Sequence, residues 1–176
     1  VLLRTRLCDG HGHVDFTKQT LPTFRLSSAH SHRTMYTGLQ HLHSYFAYLV
    51  LLALVVAVVH AMFGLSGKRP FSSTSRKLVL FGLIFTHLQI VFGLVIYFIS
   101  PMGMRNLSGE TMKDPVARLF ALEHPLMMLV AIILITIGYA KAKRATMDAR
   151  KFKLVAWFYG IGLLLILSRI PWATWP

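Results

Sequence analysis

Hydrophobic residues gather into four long runs along this chain, over positions 45–65, 78–99, 119–140 and 154–167, with short polar stretches between them. Three of the runs are near the ~20 residues that a helix needs to cross ~30 Å of hydrocarbon. The fourth reaches that length if its helix continues past Arg169. None of the runs alternates polar and apolar positions, as strands of a closed membrane barrel must. The pattern predicts an all-α protein: a transmembrane four-helix up-down bundle over residues 35–176, with helices at about 40–65, 77–99, 116–140 and 153–172.

Prolines set the expected helix ends. Pro101 closes the second helix, Pro171 marks the end of the fourth, and Pro115 suits the first turn of the third. Pro125 lies well inside the third helix, where its ring should free a carbonyl near Ala121 and bend the axis.

Residues 1–34 differ in character. They are polar, carry four of the nine histidines, and hold no periodic apolar stretch. The sequence opens on Val1, while Met35 stands just before the first run, so this segment is expected to be a leader, disordered or not native to the fold. Cys8, His11 and His13 form a short cluster in it, but their spacing matches no zinc pattern.

Composition agrees with the membrane reading: 55% of the 176 residues are hydrophobic and only 14% are charged. The net charge of +13 would suggest nucleic acid in a soluble protein. Here the basic residues flank the apolar runs and no basic patch is interleaved with exposed aromatics, so lipid is the expected partner and nucleic acid is not. Lys68, Arg69, Arg76 and Lys77 crowd the first loop, and Lys141, Lys143, Arg144, Arg150, Lys151 and Lys153 the third. Both loops are therefore expected on the cytoplasmic side, with the second loop and both termini outside. Tyr36, Tyr45, Phe46, Trp172 and Trp175 then fall at the outer interface, where aromatic side chains anchor helices.

Ionisable residues inside a span cost free energy and usually mark function or a partner. This chain has His60, His87, Glu123, His124 and Arg169, with His41 and His43 near the edge of the first span. Measured from each run's midpoint, Glu123, His124 and Arg169 fall roughly 8–13 Å outward of the bilayer centre and His43 about 14–18 Å outward. His87 falls near the midplane, and His60 roughly 7–11 Å toward the cytoplasm. A Glu123–Arg169 ion pair would let two helices share costly charges, and a single histidine can simply bridge helices. Histidines on three successive helices are better explained together, as axial ligands of a haem b in the bundle interior. His124, His87 and His43 are the candidate ligands, with His60 as an alternate. Arg169 is a candidate partner for the propionates, and Gly93, Gly160 and Gly162 would admit a flat ring. The depths do not choose between the pairs His43–His124 and His60–His87, while His87 and His124 stand roughly 11 Å apart in depth.

Several motifs point the same way: His43-Ser44-Tyr45, Thr86-His87-Leu88-Gln89, Tyr97-Phe98, Ser100-Pro101, Glu123-His124-Pro125 and Arg169-Ile170-Pro171-Trp172. Together they resemble a family of small four-helix bacterial inner-membrane proteins commonly labelled cytochrome b, over about residues 35–175. The resemblance implies a b-type haem protein or a respiratory accessory component of the inner membrane, and supplies no reaction. Halves of haem A synthase are a more distant analogy: they too are four-helix bundles with haem-ligating histidines, at a different acid-to-histidine spacing.

The leading expectation is a haem-binding electron carrier of a respiratory or quinol-linked system, in which Glu123 would accept a proton near the outer surface. A non-catalytic accessory or assembly subunit of a larger membrane complex is the alternative, with the polar residues acting as interhelical glue. A small transporter or metal-handling protein is a third, although broken helices are few and the methionines are ordinary for an apolar bundle. Outside the spans there is no phosphate loop, no Ser-His-Asp arrangement and no paired carboxylates.

Overall fold

A computed structural model describes the backbone of residues 23–175, with side chains from Met35 onward. Over these residues every regular element is helical. Four helices are long and apolar enough to cross a membrane: α1 (Thr23–Ser66), α2 (Ser73–Ile99), α3 (Pro115–Arg144) and α4 (Asp148–Ser168). Sequential helices pack side by side and α1 also meets α4, which closes the up-down bundle. Leu52, Phe63, Val91, Ile133 and Leu164, drawn from all four helices, are each more than half exposed. So apolar a perimeter suits lipid and not water.

The helix limits obey local chemistry. Ser72 caps α2 by accepting a hydrogen bond from the Ser75 N–H, and Asp114 caps α3 by accepting from Val116, with Pro115 in the first turn as expected. The fourth helix starts earlier than expected, at Asp148, and stops at Ser168 instead of near residue 172. Pro171 lacks an N–H and disfavours helical backbone in the residue before it, so the helix ends ahead of it.

The first helix is longer than its apolar run. Helix α1 starts at Thr23 and has 44 residues, not at about residue 40. Between Pro22 and Gly38 the sequence contains no proline or glycine, and polar residues do not prevent a helix that projects beyond hydrocarbon. At ~1.5 Å per residue α1 is about twice as long as the membrane core is thick. The Cys8, His11 and His13 cluster lies outside the described residues, as does the rest of segment 1–22.

Loops α1–α2 and α3–α4 share one end of the bundle, and Lys68, Arg69, Arg76, Lys77, Lys141, Lys143, Arg144, Arg150, Lys151 and Lys153 gather in them and in the adjoining helix turns, which makes it the basic end. The half of the bundle next to it is closely packed. Leu54, Ala57, Ile135, Phe152, Val155 and Tyr159 are almost wholly buried there. The Tyr159 hydroxyl donates to the Val79 carbonyl at 2.9 Å, tying α4 to α2. Glycines let these helices approach: Gly82 faces the Tyr159 ring, Gly138 faces Phe158 and Gly162 faces Ile135.

Candidate functional site

The opposite half of the bundle is hollow. A cavity of about 360 Å³ lies between all four helices, walled mainly by Ile, Leu, Val, Phe and Met side chains. His43 and Ser44 of α1, Thr86, Gln89 and Tyr97 of α2, and His124 of α3 are among its polar lining, and Gly93 of α2 also borders it. Ile166 of α4, with Ile170 and Trp175 beyond it, closes the fourth side.

Two imidazoles meet edge-on in this space. The ring centres of His43 and His124 are 6.4 Å apart, with planes inclined at 79°. Their helices do not pack extensively on each other, so the pair spans the interior of the bundle.

Local backbone chemistry aims His124. The third helix opens with a short α-turn at Pro115–Arg118, widens into a π-turn at Leu119–Glu123, and resumes as α-helix from His124. The His124 N–H bonds the Leu119 carbonyl, five residues back. One extra residue in a turn rotates the remainder of the helix by about 100° in phase, and such turns often mark functional sites. Pro125 has no N–H to offer the Ala121 carbonyl, the group expected to be freed. The Tyr97 hydroxyl of α2 donates to that carbonyl at 3.0 Å and takes the place of the missing bond. On the imidazole itself, Nδ1 lies 2.7 Å from the Arg169 carbonyl. A carbonyl can only accept, so Nδ1 carries the proton and Nε2 keeps its lone pair.

His43 is held differently. The Gln89 amide donates to the His43 backbone carbonyl at 2.9 Å, and its nitrogen lies 3.4 Å from His43 Nε2. His43 Nδ1 and Gln89 Oε1 are buried with no hydrogen-bond partner among the described residues. Buried polar atoms are nearly always hydrogen-bonded, so two orphans on one wall mark where a bound molecule's polar atoms would be met. Gly93 lies beneath the His43 ring, and a Cβ there would come within 3.0 Å of Cε1.

The other expected site residues are more dispersed. Glu123 does reach Arg169, at 3.5 Å, but Arg118 is nearer at 2.7 Å. Arg118 also donates to the Met112 carbonyl, which fastens the one-turn helix Gly109–Lys113 to the start of α3. Neither Glu123 nor Arg169 lines the cavity; Arg169 serves it through its backbone carbonyl, whereas its guanidinium pairs with Glu123. His87 is exposed on the outer face of α2, with Nδ1 bonded to the Leu83 carbonyl of its own helix. It is one residue out of phase with Thr86 and Gln89, which face inward. His60 sits near the basic end against Ser75, at 2.8 Å, and near the Phe152 ring. His41 is exposed and stacks on Tyr45. Gly162 is a packing contact with Ile135, Gly160 meets nothing, and Gly93 alone of the three expected glycines lines the cavity.

Among the described residues no three His, Cys, Asp or Glu side chains converge as a metal site. A haem iron needs fewer, since the porphyrin supplies four nitrogens and the protein only the axial ligands. An imidazole bonded at ~2 Å puts its ring centre roughly 3.2 Å from the metal, so a pair on opposite sides stands ~6.3 Å apart. The observed 6.4 Å matches that spacing, and ligation at His43 Nε2 would displace the Gln89 amide nitrogen 3.4 Å from it.

Fold and cavity define a multi-pass helical membrane protein with a two-histidine interior site. No family model, curated protein or solved structure matches the chain. The likeness to proteins labelled cytochrome b therefore rests on the motifs alone.

Proposed function

We propose that this protein is a b-type haem-binding membrane protein that carries electrons, with His43 and His124 as the residues that would hold the haem. The observation that carries the reading is the meeting of these two imidazoles inside an apolar cavity, with ring centres 6.4 Å apart. The Nδ1 contact of His124 adds support, because metal-bound histidines commonly donate their other N–H to a carbonyl or carboxylate. A haem held there would accept and release single electrons. The chain's own residues would fix the ring planes through Gln89 and the Arg169 carbonyl, keep water out with the aliphatic walls, and offer the Ser44 hydroxyl to the polar edge, since the Thr86 and Tyr97 hydroxyls already donate to backbone carbonyls. By the distribution of Lys and Arg, the basic end lies in the cytoplasm and the cavity near the outer face of a bacterial inner membrane.

The test is a reduced-minus-oxidised visible spectrum of the purified full-length protein. A Soret shift and an α-band are expected, lost in both His43→Ala and His124→Ala and retained in His87→Ala. A featureless wild-type spectrum after expression with added haem would overturn the reading. An accessory-subunit role is favoured in that event by the interhelical bonds Tyr97–Ala121, Gln89–His43 and Tyr159–Val79, which brace the bundle whether or not a cofactor is bound.

A further inference from the structure

A second concavity lies on α4 at the basic end, well away from the histidine cavity. It has a volume of about 450 Å³ and is lined by Arg150, Lys153, Leu154, Trp157 and Phe158. These positions repeat at three- and four-residue spacing, so they form one face of the helix. From α3, Lys141 reaches the same place and lies 5.5 Å over the Phe158 ring. The close approach of α3 at Gly138, whose absent side chain leaves room for Phe158, brings the two helices together there.

Uncompensated charge beside an exposed aromatic wall marks this groove. Asp148 is the acid of the α3–α4 turn, and it pairs with Lys151 at 2.8 Å, whose ammonium also lies over Phe71. Among the described residues, Arg150, Lys153 and Lys141 have no acidic partner. Three uncompensated cations therefore surround a groove whose wall is Trp157, 62% exposed. An exposed indole next to cations is the side-chain set of a membrane–water interface. Beyond it the exposed apolar stripe continues along α4 through Ile161 and Leu164.

We propose that this groove is a binding site for an anionic phospholipid. Arg150 and Lys153 take the phosphate, the arginine through its planar fork and the lysine as a point charge. Lys141 closes the α3 side, Trp157 lies at the glycerol level, and an acyl chain runs along Ile161 and Leu164 into the hydrocarbon. The proposal is independent of the haem reading, since it uses none of the cavity residues.

Native mass spectrometry of the full-length protein in zwitterionic detergent tests it, with phosphatidylglycerol or phosphatidylcholine added at equal concentration. Wild type is expected to retain one phosphatidylglycerol in preference to phosphatidylcholine. R150Q/K153Q should weaken that retention roughly tenfold or more. R76Q/K77Q removes the same charge from exposed positions at the same end of the bundle and should leave it unchanged. Equal retention of both lipids by wild type, an unaltered R150Q/K153Q, or equal losses in the two double variants would each overturn a discrete site, the last in favour of diffuse attraction. Both pairs are exposed and without acidic partners, so neither double variant is expected to disturb folding.

Discussion

The two halves of this bundle use the same building rule and reach opposite results. From the basic end up to the edge of the cavity, a glycine on one helix meets a bulky side chain from another: Gly138 with Phe158, Gly82 with Tyr159, Gly162 with Ile135. The interior closes, and the buried hydroxyl of Tyr159 finds the Val79 carbonyl. In the other half Gly93 also meets a ring, but the ring is the imidazole of His43, and a cavity of about 360 Å³ opens beside it with two buried polar atoms left over. Lipid drives neither arrangement, because hydrocarbon tails are as apolar as the side chains. Packing and hydrogen bonding decide. A half that fills its space and satisfies its polar groups is a scaffold, whereas a half that does neither is shaped for something else.

The largest expected effect separates the halves with one side-chain type on one helix. Ile135 is fully buried against Gly162, and Ile132, one turn away, borders the cavity. Ile135→Ala should destabilise the protein in detergent by about 4–5 kcal/mol, near the top of the range for such truncations, and Ile132→Ala by about 2 kcal/mol. The second figure is smaller because part of the space around Ile132 already lacks atoms. Equal losses in thermal or chemical unfolding would mean that the two halves are packed alike.

Glycine substitutions sharpen the contrast at intermediate size. At Gly162 an added Cβ would lie 2.7 Å from Ile135 Cγ1 and 3.3 Å from the Ala131 carbonyl oxygen, so Gly162→Ala should cost roughly 1–3 kcal/mol by overpacking. At Gly93 the Cβ would meet only the edge of the His43 ring, which can shift into the cavity. Gly93→Ala should cost less than about 1 kcal/mol and act instead on the site, lowering haem content or moving the Soret band. A Gly93→Ala variant with reduced stability and an unaltered spectrum would reverse the roles given to the two ends.

The four spans were plain in the sequence because hydrophobicity over ~20 residues is a bulk property that needs no knowledge of neighbours. The proline effects were plain too, since the loss of an N–H at Pro125 names the carbonyl at Ala121 directly. What depth alone lacked was azimuth. His87, placed near the midplane by depth, points to the perimeter, next in sequence to Thr86 of the inward set Thr86, Gln89, Ile90, Gly93 and Tyr97. That three- and four-residue spacing is visible in the sequence and would have set His87 aside. The π-turn is another matter. It rotates His124 relative to the start of its helix, and a pattern read at 3.6 residues per turn misplaces everything beyond it. The part of Arg169 was hidden for a different reason: its carbonyl, and not its guanidinium, reaches the site, and backbone groups leave no signature in residue type.

The smallest expected effect compares two tyrosines that make the same bond. Tyr159 and Tyr97 each donate a hydroxyl hydrogen bond to a backbone carbonyl on a neighbouring helix, at 2.9 and 3.0 Å. Val79 lies within regular helix, where its carbonyl has the usual N–H partner four residues on, so Tyr159→Phe removes only a second bond. The cost should be about 0.6 kcal/mol, typical of interhelical hydrogen bonds in membranes. Ala121 has no such partner because residue 125 is proline. Tyr97→Phe should leave that acceptor unpaired and cost about 1–2 kcal/mol. It should also loosen the turn that aims His124, so the absorption spectrum of haem-loaded Tyr97→Phe should broaden or shift while that of Tyr159→Phe stays as in wild type. If the two variants match in both stability and spectrum, the Tyr97 hydroxyl is an ordinary helix-to-helix contact, and the geometry of His124 rests on the Arg169 carbonyl and the π-turn without it.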